Sequence, residues 1–172
     1  MINDLATFGF SFLILITMWL RYTQIMSVFP LDNARVIRLN ILLLFCVSVE
    51  PFLFNLVRKA PEGVANLAGY DNTTSTLYAL DLGAMFLIMG GFTLTLASEE
   101  RNLIPKELTH QYRISGAGWF ICGVLYLLSA LPIFFTLALG LSLPLRYYIW
   151  AAPLVLIWAL RRQRSKDETD VT

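Results

Sequence analysis

Residues 32–52 read DNARVIRLNILLLFCVSVEPF, and the fold is decided by how this stretch changes along its length. Asp32, Arg35 and Arg38 open it. From Leu39 to Val57 the chain is then apolar except for Asn40, Ser48, Glu50 and Asn55. A helix needs about 20 such residues, rising 1.5 Å each, to cross about 30 Å of hydrocarbon. The core helix of a soluble protein usually keeps a polar face, and this one is apolar on every side. The stretch therefore predicts a transmembrane helix with a charged edge and a few polar residues at depth.

The rest of the chain agrees. Of its 172 residues, 57% are hydrophobic and 15% charged, with mean hydropathy +0.64. Soluble domains carry about 25% charged residues. Five spans are predicted, at about 5–20, 36–57, 76–97, 114–139 and 144–160. They are followed by a polar cytoplasmic tail, 161–172. The fold class is all-α, a polytopic, multi-pass protein of the cell membrane whose first partner is the lipid bilayer. The first span is not a cleaved signal peptide, because no basic region precedes it and no small-residue cleavage site follows it. Pro132 and Pro153 predict kinks in the fourth and fifth spans.

Lys and Arg favour the cytoplasmic side of a membrane protein. The first connection holds Arg21, Arg35 and Arg38, the third Arg101, Lys106 and Arg113, and the tail four more. Only Arg58, Lys59 and Arg146 fall on the other side, so ten of the 13 cations share one face. The C-terminus is expected inside and, after five crossings, the N-terminus outside. The sequon Asn72-Thr73-Thr74 then faces out. The net charge of +1, with cations spread between apolar runs, gives no basic face for nucleic acid.

Charged groups at depth cost about 2.5–3.5 kcal/mol each by insertion scales, so the few present are the candidate site. Glu50 lies in the outer half of the second span, before Pro51, which withdraws a backbone donor from the helix. It either lines a wet, cation-binding path or sits near the outer headgroups. Asp81, with the third span starting at Thr76, is shallow enough for interfacial solvation. Asn40, near the inner end of the second span, reads first as a packing residue. Trp19, Arg21 and Tyr22 mark the inner interface, and Tyr147, Tyr148 and Trp150 the outer one, with Trp158 again inner. Asp32, Arg35 and Arg38 form either a charged cluster or a solvated loop. The glycines of spans three and four form no repeated GxxxG face.

No enzyme is expected. His110, the single histidine, reads as a loop residue, and Cys46 and Cys122 read as small buried hydrophobes. No HExxH, GxSxG or phosphate-binding glycine loop occurs, and no cofactor or metal is implied.

At the first two spans the sequence resembles a known family. SFLILITMWLRYTQIM at 11–26 and the stretch at 32–52 are similar to the second and third helices of the lysosomal and prokaryotic potassium channels (the transmembrane protein 175 family). The matching positions are Trp19, Asp32, Leu39-Asn40, Phe45, Ser48 and Pro51-Phe52. The resemblance covers these residues over the first third and only helix order thereafter. It implies a potassium-permeable channel subunit or channel-like relative, homo-oligomeric and possibly tetrameric, with potassium as the permeant ion. It also implies an inner polar network of Trp19, Tyr22, Asp32, Arg35 and Asn40. Two departures stand out. Tyr22 replaces the histidine common after the Trp, and the family's pore-lining first helix, with its Arg and Phe-Ser-Asp, has no counterpart. The chain is thus expected to start at the family's second helix. The alternative is a non-conducting structural or accessory membrane protein. A transporter would show internal repeats, and none is visible.

Overall fold

One helix, α3 (Tyr70–Leu96), is buried along most of its length, and the others are arranged against it. The computed structural model describes residues 2–29, 34–59, 70–98, 104–136, 145–146 and 148–151. Its other helices are α1 (Ile2–Met26), α2 (Ala34–Lys59), α4 (Lys106–Ser129) and the short α5 (Ile133–Thr136). No strand occurs among the described residues. α3 packs most extensively on α4, then on α2, while α1 rests more sparsely on α3 and α2. The core runs along α3 through Tyr78, Leu82, Met85, Phe86, Met89, Phe92 and Leu96. An aromatic column extends it, with Phe86 against Trp119 at 5.4 Å and against Tyr126 at 5.2 Å.

The α3–α4 contact is built on glycines spaced by seven residues, two helical turns, rather than by four. Leu127 covers Gly83, Phe120 covers Gly90, Leu87 covers Gly123 and Leu94 covers Gly116. Where Gly83 meets Gly123 the backbones approach closely. A Cβ on Gly123 would stand 3.1 Å from the Gly83 carbonyl, and one on Gly83 would stand 3.3 Å from the Gly123 carbonyl. Small residues permit this approach, and the facing leucines fill the space on either side. The seven-residue register is the signal that a search for GxxxG passes over.

Several boundaries differ from expectation. α3 starts at Tyr70, before the expected 76. Instead of one helix over 114–139, α4 runs from Lys106 to Ser129, turns at Ala130–Pro132, and α5 follows. The reason is Pro132, which lacks an N–H and disfavours a helical Leu131 before it. α2, in contrast, continues through Pro51 as one helix. There the missing donor leaves only the Val47 carbonyl without its usual i+4 partner. Most of the expected span 144–160, the tail 161–172 and Pro153 lie outside the described residues.

Among the described residues, two helical stretches are long and apolar enough to cross a membrane, Ala34–Leu56 and Thr73–Leu96. Phe12–Met26 is apolar and shorter. α4 opens on the polar turns KELTHQYR, which shortens its apolar part. The faces turned away from α3 are apolar too. Ile37, Ile41, Leu44, Phe45 and Phe52 are exposed on α2, and Phe12, Leu13, Ile16 and Leu20 on α1. Contiguous apolar patches of this kind mark a surface that meets lipid or a partner.

Candidate functional site

The polar residues of α2 and α3 meet along one seam. On α2, Cys46 and Glu50 are one turn apart and share a face. On α3, Tyr78 and Asp81 do the same. The helices run antiparallel, so Glu50 faces Tyr78 and Cys46 faces Asp81. The Tyr78 hydroxyl donates to Glu50 Oε1 at 3.3 Å, and Cys46 stands beside the Asp81 carboxylate. Glu50 is only 2% exposed. Asp81 Oδ2 is enclosed and has no hydrogen-bond partner among the described residues. Buried polar atoms are paired in most structures, so an orphaned carboxylate oxygen marks a place suited to a cation, a proton or a water.

Depth follows from helical rise. Asp81 lies about 12 Å past Thr73, where the apolar stretch of α3 begins. Glu50 lies about 9 Å from Leu56, where that of α2 ends. α3 starts six residues before the expected 76, so Asp81 lies about three turns from its start, and Cys46, near the middle of α2, stands beside it. Cys46, read from sequence as a small hydrophobe, has a polar neighbour.

Beside Glu50 and Tyr78 lies a network the sequence did not reveal. Arg146, counted as an outer loop cation, is fully buried. Its guanidinium donates from Nε to the Ser129 carbonyl at 2.6 Å and from Nη2 to those of Ala130 and Leu131 at 3.1 and 3.2 Å. Nη1 donates to Ser75 Oγ at 2.6 Å. The last carbonyls of a helix have no intrahelical donor and carry partial negative charge, and Arg146 satisfies them where Pro132 has ended α4. Trp150, expected in the outer aromatic belt, is buried here instead. Its indole donates to Ser129 Oγ at 3.1 Å, its carbonyl accepts from the Tyr126 hydroxyl at 2.9 Å, and its ring lies 5.2 Å from that of Tyr78. A cation between two prolines, flanked by aromatics, was the one available hint: in apolar surroundings a guanidinium finds carbonyls.

At the other end of the seam, the Tyr22 hydroxyl donates to Asn40 Oδ1 at 2.7 Å. Trp19 stacks on Tyr22 at 5.9 Å, and Phe92 meets Tyr22 edge-on at 6.2 Å. Three residues of the expected inner network, Trp19, Tyr22 and Asn40, are thus together. Arg35 is exposed, about 7.5 Å along α2 from Asn40, and Asp32 lies outside the described residues. His110 is exposed on α4, not in a loop. Among the described residues, no group of three or more His, Cys, Asp or Glu could hold a metal ion. No protein-family model, no curated protein and no solved structure matches the chain.

Proposed function

We propose that the chain is a multi-pass protein of the cell membrane and a potassium-permeable channel subunit or channel-like relative, working as a homo-oligomer, possibly a tetramer. Five spans, with the N-terminus outside and the C-terminus cytoplasmic, follow from the apolar runs and the charge split. The observation that carries the cation reading is that Glu50 and Asp81 lie along one seam on facing helices inside the bundle, with an orphaned oxygen on Asp81. Two carboxylates in apolar surroundings are costly, and a cation passing or resting beside them offsets that cost. The resemblance at Trp19, Asn40, Ser48 and Pro51 supplies potassium as the ion.

A second reading has its own support. Glu50 is enclosed and hydrogen-bonded, Arg146 caps a helix, and the glycine register locks α3 to α4. These features suit a rigid, non-conducting structural or accessory protein equally well. Purified protein in liposomes under a potassium gradient separates the two. Channel activity gives potassium flux above that of empty liposomes, and an accessory protein gives none.

A further inference from the structure

The two carboxylates of the α2–α3 seam are not treated alike. Glu50 is enclosed and accepts a hydrogen bond from the Tyr78 hydroxyl at 3.3 Å. Asp81 Oδ2 is enclosed too, and no donor among the described residues reaches it. The titratable groups that face Asp81 come from α2: Cys46 stands beside it, and the charge of Glu50 acts on it. Among the described residues, α1 and α4, the other helices packed on α3, bring no titratable or charged group to it. The buried guanidinium of Arg146 is turned to the carbonyls that end α4 and to Ser75.

A water, a metal cation and a proton make different demands of such a place. A buried water makes about three hydrogen bonds to polar groups. Apart from the Asp81 carboxylate itself, the polar neighbours here are a thiol, which is a weak donor, and a second carboxylate. A potassium ion needs several oxygens to replace its hydration shell, and room beside an oxygen that is enclosed in this arrangement. A proton needs neither space nor further ligands. It turns a costly buried charge into a neutral acid, and it ends the repulsion between two negative charges along one apolar seam.

We propose that Asp81 is a proton-binding site, and that the bound proton keeps the α2–α3 seam closed to cations. When the proton leaves to water, Asp81 and Glu50 are both ionised. Their repulsion, and the hydration that two charges demand, then favour a wetter seam that a cation can enter. The proton site stands on the enclosed oxygen alone, whereas its control of cation entry rests on the channel reading above.

Infrared difference spectroscopy of the full chain in a neutral detergent tests the site. A protonated carboxyl has its own C=O band, and raising the pH is expected to convert one such band to carboxylate. The band is expected to be lost in Asp81→Asn and kept in Glu50→Gln. Asp81→Glu, which keeps the acid and shifts its band, carries the assignment if Asp81→Asn does not fold. No titrating band, or a band kept in Asp81→Asn and lost in Glu50→Gln, would overturn the site. Potassium flux into liposomes tests the control. Flux is expected to be about fivefold or more higher on the alkaline side of the same transition, and low at every pH in Asp81→Asn. Native flux that ignores pH while the band titrates would overturn the control. A band that titrates at Asp81 in a chain with no flux at any pH upholds the site and counts against the channel reading, so the two failures are told apart.

Discussion

Arg146 organises the end of the bundle, and its removal is the sharpest change available at the scale of one residue. Arg146→Gln removes the guanidinium donor from the Ser129 carbonyl and the bond that Nη1 makes to Ser75 Oγ, and it leaves the Ala130 and Leu131 carbonyls with only the Thr76 hydroxyl and the Phe134 N–H. Each buried acceptor left unpaired costs about 1–3 kcal/mol. The variant is expected to lose at least about 2 kcal/mol, measured by chemical unfolding in detergent. Arg146→Lys, which keeps the charge but not the planar fork, should lose less. Asp81 moves the other way. Its orphaned oxygen makes the carboxylate a net cost, so Asp81→Leu is expected to raise stability by about 1–3 kcal/mol in the same assay. A fall in stability would mean that Asp81 is paired in the folded protein. Glu50, Asp81, Asn40 and Tyr22 were legible in the sequence because polar residues inside long apolar runs are rare. Their partners were not, since the antiparallel register that brings Tyr78 to Glu50 and Cys46 to Asp81 exists only once α2 and α3 are docked. Arg146 misled for a related reason, as a cation counted by its place in the chain carries no sign of the carbonyls that will surround it.

Among the elements, α3 is held on one side by the glycine contact with α4 and on the other by the seam with α2. If the outer faces meet lipid, the hydrophobic effect adds little between helices, and close packing carries the association. Gly123→Ala places a methyl 2.7 Å from Leu87 Cδ2 and 3.1 Å from the Gly83 carbonyl. Leu87 can rotate away, but the backbone of α3 cannot, and overpacking of this kind costs about 1–3 kcal/mol. Gly91→Ala is the control. Its methyl meets only Leu39, at 3.5 Å, so the better helix propensity of alanine should leave stability unchanged or raised by up to about 1 kcal/mol. Thermal unfolding of the two variants side by side checks the pair. Long helices were readable from apolar runs, whereas their ends were not. Polar residues such as those of KELTHQYR can extend a helix beyond its apolar part, and Pro132 divides what hydropathy alone joins.

For the whole molecule, the proposed five spans and cytoplasmic tail rest on composition and the charge split; among the described residues two helices are long and apolar enough to cross a membrane, and α1 and α2 turn apolar residues outward. Cysteines introduced by Ala65→Cys and Ser142→Cys are expected to react with an impermeant thiol reagent added outside, while Ser165→Cys reacts only after permeabilisation. The reverse pattern would contradict the orientation. The central claim is that Glu50 and Asp81, along one seam, serve cation passage on a membrane scaffold, and potassium flux into liposomes tests it most directly. The account predicts flux with the native chain and a clear loss of flux, at equal protein incorporation, with Glu50→Gln and with Asp81→Asn. Absence of flux from the native chain, or flux and selectivity unchanged in both variants, would contradict it.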